Sequence, residues 1–294
     1  MKIRLSHSAL SKLTQCERMF QLDRLLVGAP EREEYPATIL GKSYGAGVQD
    51  YMVHQDIDKA VFECYKNYYP VKEDDKRTEE VAITLLLSSQ SAMDNILMDW
   101  EVAYFQDKPA IELSFRLNID ETFYYVGYVD LILKNKYTGQ YAITEVKTTT
   151  IGLLDIAPLY QNSGQALGYS IILDKIVGEN QASYDVLYLA AQMKRNPFES
   201  TIHTLPYTKT IQDRLNWFIS LQLDVNRLHE MLDNNVFPMR GQNCLQYMRP
   251  CKHFGTCSLH GLDTYKPYEE DAVDYQFTYK LDEVIQDHLN RLED

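Results

Sequence analysis

The chain is short of basic residues: 29 lysines and arginines stand against 42 acids in 294 residues, a formal charge of -13 with a pI near 5.0. Nonspecific affinity for nucleic acid comes from neutralising phosphates with Lys and Arg, so this balance argues against a generic nucleic-acid coat. It leaves room for a protein whose acids bind metal and whose few bases line one groove. No apolar run approaches the roughly 20 residues that span a bilayer. The start, Met1-Lys2-Ile3-Arg4-Leu5, leads into polar Ser6-His7-Ser8 instead of a signal-peptide core. A soluble, cytoplasmic chain with no membrane partner is the expectation. Internal repeats and low-complexity linkers are also lacking. Cysteine is scarce and odd in number, with five residues (Cys16, Cys64, Cys244, Cys251 and Cys257), which fits poorly with a fully paired disulfide framework.

What is present suffices for a full core, since 45% of the residues are hydrophobic, and one large domain over 1–294 is expected. An N-terminal helical region fills 1–109. Ser6 or Ser8 caps a helix that runs to about residue 26 and contains Cys16, and further helical blocks cover about 41–69 and 77–105. Strands follow at 110–119, 122–134 and 141–148, separated by the turn signals Asp120-Glu121 and Tyr137-Thr138-Gly139. The pattern then predicts a helix over 158–177 and strands over 184–190 and 200–205, which complete a catalytic α/β core over 110–208. A long helix over 209–233 leads into a cysteine-rich segment ending near 262. The tail, 263–294, contains solvated Tyr268-Glu269-Glu270-Asp271 and a terminal helix over 281–292 docked on the surface.

Chemistry concentrates in Gly127-Tyr128-Val129-Asp130-Leu131-Ile132-Leu133 and Ile143-Thr144-Glu145-Val146-Lys147. Successive strand side chains alternate, so Glu145 and Lys147 share a face and Asp130 can join them from the neighbouring strand. Glu-x-Lys on an exposed strand is ordinarily a solvated pair. Here the flanks Tyr141, Ala142, Ile143 and Val146 mark a buried strand, where charge is expensive without a partner or a metal. Two carboxylates can hold Mg2+ or Mn2+, which activates water and clamps phosphoryl oxygens, while a lysine steadies the developing charge. The set suits phosphodiester hydrolysis.

Three of the cysteines crowd into 244–257, a Pro- and Gly-containing stretch that suggests a metal. Thiolates suit an iron–sulfur cluster or tetrahedral zinc, and softness alone does not choose. The gaps lack the two-residue spacing of zinc knuckles, while His253 and His260 keep a mixed Cys/His site open. Cys64 lies outside the pattern and reads as a buried thiol.

Asp130 followed by Glu145-x-Lys147 resembles the motifs of the PD-(D/E)XK nuclease superfamily, and Gln165-Ala166-Leu167-Gly168-Tyr169 resembles the Gln-xxx-Tyr motif of its RecB-type branch. Cys16 ahead of the core and Cys244, Cys251 and Cys257 behind it are similar to the split cysteines of the iron–sulfur exonucleases, among them AddB, the Cas4-type CRISPR-associated proteins and phage relatives. The resemblance implies a restriction-endonuclease-like α/β core with a mixed central sheet flanked by helices, an N-terminal helical region and a C-terminal iron–sulfur segment. It implies Asp130, Glu145 and the Val146 carbonyl as Mg2+ or Mn2+ ligands and Lys147 as the catalytic cation, with Glu112 on the preceding strand as an outer ligand or a charge partner. Gln165 and Tyr169 would organise the site and touch DNA. Cys16, Cys244, Cys251 and Cys257 would hold a 4Fe-4S cluster that staples the first helix to the C-terminal region. The implied activity is a DNA exonuclease acting on duplex ends or single strands in recombination, repair or replication, with a helicase or recombination partner. A phage-encoded copy would work in the host cytoplasm. The pattern departs at two points: Val129, not Pro, precedes Asp130, and the branch often carries a metal-binding His shortly after a Gly in the early helical block, but here Gly41 and Gly45 precede Gln49, and His54 stands further on. An inactive DNA-binding relative and a zinc-stabilised nuclease are the alternatives. Arg18, Arg24, Lys194 and Arg195 are basic candidates for phosphate contact, and some of the 22 tyrosines can stack on bases.

Overall fold

Alternating residues in Ile111–Asn118 and near-continuous buried runs in Phe123–Asn135 and Tyr141–Thr149 form three consecutive strands. The structure, a computed structural model, describes residues 2–27, 35–69, 76–178, 181–246, 249–255, 257, 266–267 and 273–293. In chain order, β1 (Ile3–Leu5) is followed by helices α1 (His7–Gln15), α2 (Glu17–Arg24), α3 (Pro36–His54), α4 (Ile57–Lys66) and α5 (Glu79–Asp99). Strands β2 (Trp100–Val102), β3 (Ile111–Asn118), β4 (Phe123–Asn135) and β5 (Tyr141–Thr149) come next. They lead to helices α6 (Leu153–Gln161) and α7 (Gly164–Val177), then β6 (Ser183–Gln192), β7 (Thr201–Thr210), α8 (Ile211–Asn234), β8 (Phe277–Lys280) and α9 (Leu281–Glu293). This is an α/β fold with a mixed central sheet flanked by helices and preceded by N-terminal helices. Two compact units divide the chain: Met1–Arg32, Ser114–Gly127 and Leu215–Asp294 form one, and Glu33–Leu113 with Tyr128–Arg214 form the other.

In the second unit the strand order is β7-β6-β5-β4. β7 and β6 pair antiparallel, β6 and β5 parallel, β5 and β4 antiparallel, and β2 joins the end of β4 antiparallel. Leu131, Leu133 and Leu189 of the sheet share a core with Tyr44 and Val48 of α3 and Leu85 of α5. Gly47 lets the three helices close on one another, because a Cβ there would lie 2.6 Å from Leu86 Cδ2 and 3.0 Å from Cys64 Cβ. Cys64 is buried, as its isolation in the sequence suggested, and Ser43 Oγ donates to its carbonyl at 2.6 Å.

Several boundaries correct the sequence reading. Helix α5 is long and apolar enough to cross a membrane by length and composition, against the expectation that no run approaches that length. Its Val81, Leu85, Met93 and Ile96 are nevertheless buried in the core with α3 and α4. The helix expected over 158–177 is two helices, because Asn162 caps the end of one and Ser163 the start of the next, its hydroxyl accepting the Gln165 N–H at 3.3 Å. The first helix also breaks in two. Ser6 caps α1 by accepting from Ala9, but Cys16 is extended (φ -163°, ψ 115°) and α2 restarts at Glu17.

In the first unit, β1 lies parallel to the start of β4 and β8 parallel to the end of β3, a pairing of remote segments. Trp217 of α8 packs edge-on against Tyr125, with centroids 5.3 Å apart. Two acids of α2 fix this unit. Glu17 pairs with Arg227 and accepts from Arg240 Nε at 2.8 Å, and Asp23 pairs with Lys12, with Lys252 at 2.5 Å and with His253 Nε2 at 2.8 Å. Burial opposes the charge on Asp23, but hydrogen bonds from His253, Lys12 and Lys252 hold its carboxyl well below the usual range. His260 and Tyr268-Glu269-Glu270-Asp271 lie outside the described residues.

Candidate active site

Strand β5 carries Glu145, fully buried, and Lys147, half-buried, on one face, while Val146 turns away to pack against the α3–α5 core. Lys147 Nζ donates to Glu145 Oε2 at 2.5 Å. The β4–β5 ladder is in register from Lys134↔Tyr141 to Leu131↔Thr144. Past that pair the Asp130 side chain enters the ladder, and its Oδ2 accepts the Val146 N–H at 2.9 Å. The separate start of α7 at Gly164 sets the next contacts. Gln165 Nε2 donates to Tyr169 Oη at 2.9 Å, one turn on, and reaches Glu145 Oε1 at 3.5 Å.

Glu112 joins from β3. Ile132 N–H donates to the Ala110 carbonyl at 3.0 Å, and two residues further along each strand this antiparallel ladder brings Glu112 across from Asp130. The Glu112 backbone is left-handed (φ 46°), a conformation that costs a non-glycine residue on the order of 1 kcal/mol and clusters at functional sites. From α3, Gln49 Nε2 donates to Glu112 Oε1 at 2.7 Å and to the Asp130 carbonyl at 3.3 Å. Gln49 is therefore the α3 residue at the site, whereas His54 pairs with Asp50 at 3.6 Å.

Three carboxylates thus share one lysine. Burial pushes Glu145 up to about 7, with Lys147 opposing and the charge of Asp130 adding to the rise. Asp130 is raised by burial against Lys147 and the Val146 N–H, and Glu112 by partial burial of its carboxyl against the Gln49 hydrogen bond. Burial pulls Lys147 down, but Glu145 and Asp130 more than reverse this and keep it charged. A buried excess of negative oxygen donors has the chemistry of a hard divalent cation site, so the residues fit Mg2+ or Mn2+. Among the described residues no group of three or more His, Cys, Asp or Glu side chains stands in ready ligand geometry. Here the oxygens a cation would engage are held by Lys147 and the Val146 amide.

Cys16, Cys244, Cys251 and Cys257 all line one cavity of about 310 Å3 in the first unit, together with Met19 and Leu22. The backbone draws two of them in: Cys251 N–H donates to the Cys244 carbonyl at 2.8 Å and Cys257 N–H to the His253 carbonyl at 2.7 Å. Burial raises the Cys257 thiol, Arg18 lowers it, and the other three cysteines raise it further. Four thiols on a largely apolar wall fit a soft metal or cluster in donor chemistry. His253 borders the same cavity and its Nε2 bonds Asp23, the carboxylate–imidazole pairing that also supports metal-ligating histidines, so the mixed Cys/His zinc set stays open beside the four thiols.

Of the basic candidates, Lys194 and Arg195 are exposed just beyond the end of β6. Arg18 and Arg24 belong to the cysteine-bearing unit, where Arg18 donates to Gln21 and the Cys257 carbonyl and Arg24 to Ser8. Sequence reasoning passed over two neighbours of the site. Gln49 carried a signal in being polar between the apolar helix positions Val48 and Met52. Tyr188 stands opposite Glu145 in the β5–β6 register and stacks on Tyr160 at 4.6 Å, a placement that only the strand pairing reveals.

No curated protein matches the chain. A crystal structure from Eubacterium rectale, described as a "Putative exonuclease", covers 87% of this chain and 94% of its own, with 12% sequence identity and a TM-score of 0.49. The family model for the PD-(D/E)XK nuclease superfamily matches residues 4–258, a span that includes the aspartate strand, the Glu-x-Lys strand, the Gln-xxx-Tyr helix and all four cavity cysteines. With that match and the carboxylate–lysine geometry, the chain belongs to the PD-(D/E)XK nuclease superfamily.

Proposed function

We propose that the chain is a divalent-metal-dependent DNA exonuclease acting on duplex ends or single strands in recombination, repair or replication. The observation that carries this reading is the gathering of buried Glu145, part-buried Asp130 and, at the exposed rim, Glu112 around a single lysine. Asp130, Glu145 and the Val146 carbonyl would hold Mg2+ or Mn2+, with Glu112 as an outer oxygen. Bound there, the ion supplies water activation and charge neutralisation at the phosphoryl oxygens. Lys147, kept protonated, is placed to orient the attacking water or steady the transition-state charge. Gln165 bonds Tyr169 and reaches Glu145 at 3.5 Å, linking the helix to the carboxylate. Lys194 and Arg195 are two exposed bases of the same unit available to a DNA backbone.

Cys16, Cys244, Cys251 and Cys257 would hold a 4Fe-4S cluster, linking folding of their unit to metal content. Support comes from the shared cavity and from the bend at Cys16, which takes that residue out of helical geometry.

The test is degradation of end-labelled linear single-stranded and duplex DNA by anaerobically purified protein in Mg2+, Mn2+ or EDTA, beside Asp130→Asn and Lys147→Ala. Metal-dependent loss of label, reduced about 10²–10³-fold or more by either substitution, is the expected result. A folded, iron-replete wild type that binds DNA but cuts nothing in any metal would favour the inactive relative. Brown protein absorbing near roughly 400 nm marks the cluster, and colourless zinc-containing protein would sink that part of the reading.

A further inference from the structure

Gln49 is nearly buried on α3, on a helix otherwise packed by Tyr44, Val48 and Met52, and nothing about that core calls for an amide. Its two bonds go to acceptors, the Glu112 carboxylate and the Asp130 carbonyl, so the orientation of its amide is set by chemistry: only the nitrogen can face them. Both acceptors belong to the carboxylate cluster. Glu112, moreover, sits in a left-handed backbone, and Gln49 is the neighbour that receives its side chain.

We propose that Gln49 is a positioning residue of the nuclease site, its side-chain amide tethering the Glu112 carboxylate to the Asp130 strand so that Glu112 is presented to the divalent cation as a third carboxylate. This rests on the nuclease reading above. A carboxylate on a long side chain at the exposed rim samples several rotamers, and binding a cation would require ordering it. A neutral donor at 2.7 Å orders it beforehand without adding a second positive charge, which would compete with the cation. The second bond, to the backbone of Asp130, fixes the tether relative to the main ligand strand. An arginine or lysine in this place would neutralise Glu112 and weaken its hold on metal. A carboxylate would repel it. Glutamine is the side chain of this length that donates without carrying charge.

The experiment measures Mn2+ affinity by calorimetry in the absence of DNA, on the full chain, for wild type, Gln49→Met, Gln49→Asn, Glu112→Gln, the Gln49→Met/Glu112→Gln double variant and Asp130→Asn. Gln49→Met keeps the volume and removes the donor. Gln49→Asn keeps an amide too short to reach, so one of the two serves if the other folds poorly in thermal unfolding. The expected result is a loss of about 10-fold in Mn2+ affinity for either Gln49 variant, in the range seen when partners of ligating groups are removed. The double variant should bind no more weakly than Glu112→Gln alone. A merely structural glutamine would change stability and leave that coupling at zero. Wild-type Mn2+ affinity in both Gln49 variants, or losses that multiply in the double variant, would overturn the proposal while leaving the nuclease reading intact provided Asp130→Asn still loses metal. Equal Mn2+ binding by wild type and Asp130→Asn would overturn the metal site itself and the role of Gln49 with it.

Discussion

Glu17 and Asp23 in the cysteine-bearing unit, and Asp130 and Glu145 in the catalytic unit, are all acids withdrawn from water, but their surroundings differ. Glu17 is met by two arginines, and Asp23 by two lysines and a histidine. Asp130, Glu145 and Glu112 divide one lysine between them. A buried acid with its cations in place is a finished structural element; a buried excess of acid is costly until something positive arrives. The contrast separates acids whose charge the protein answers with its own cations from acids left in excess around one lysine.

The largest effect should come from Glu145→Gln, and its two consequences have opposite signs. Degradation of labelled DNA should fall about 10²–10³-fold, while the metal-free protein should gain stability at pH 8, on the order of 3 kcal/mol from the raised carboxyl. Thermal unfolding in EDTA reads the gain, and a loss there would break the contrast. Glu17→Gln should do the reverse, costing about 2 kcal/mol in denaturant unfolding. That is less than a fully buried pair because Arg227 and Arg240 remain 40% and 49% exposed.

Smaller effects appear as opposite pH trends. Glu145 is held at about 7 against an ordinary 4.5, so the fold favours its protonated form and stability is lost as pH rises from about 4.5 through 7. Asp23 is depressed below its ordinary 3.8, so its contribution is present above that value and lost as pH falls. In EDTA the melting temperature should drop between pH 5 and 8. Added Mg2+ or Mn2+ should cancel the drop, and Glu145→Gln should remove it. A drop that persists in saturating metal would place its origin elsewhere. The smallest effect is expected from Cys64→Ala, about 1 kcal/mol with iron content unchanged, whereas Cys251→Ser should reduce iron content measurably.

The strand residues of the site were legible in the sequence because alternation fixes faces: Asp130, Glu145 and Lys147 lie where a period of two puts them. The Gln165–Tyr169 contact follows equally from helical spacing. Less legible were the breaks at Cys16 and at Asn162-Ser163, where one or two residues leave helical geometry within an otherwise helical pattern. The part played by Gln49 depends on a positive φ at Glu112, 63 positions away, and no local pattern encodes that. The parallel pairing of Phe277–Lys280 with β3 joins segments too distant for any turn signal to connect. Helix α5 was legible as a helical block, but not that its length and apolar composition would pass for a membrane span; its partners are the helices beside it.

Asp130 Oδ2 accepts the Val146 N–H, so the carboxylate also serves as a rung of the sheet. Replacing it with alanine would silence the chemistry and at the same time leave a main-chain donor without its acceptor, confounding loss of activity with local unravelling. Asparagine keeps an oxygen for that amide. It separates the two duties of one side chain, and a chain that had given up cleavage in favour of DNA binding alone would still have reason to keep an acceptor at this position.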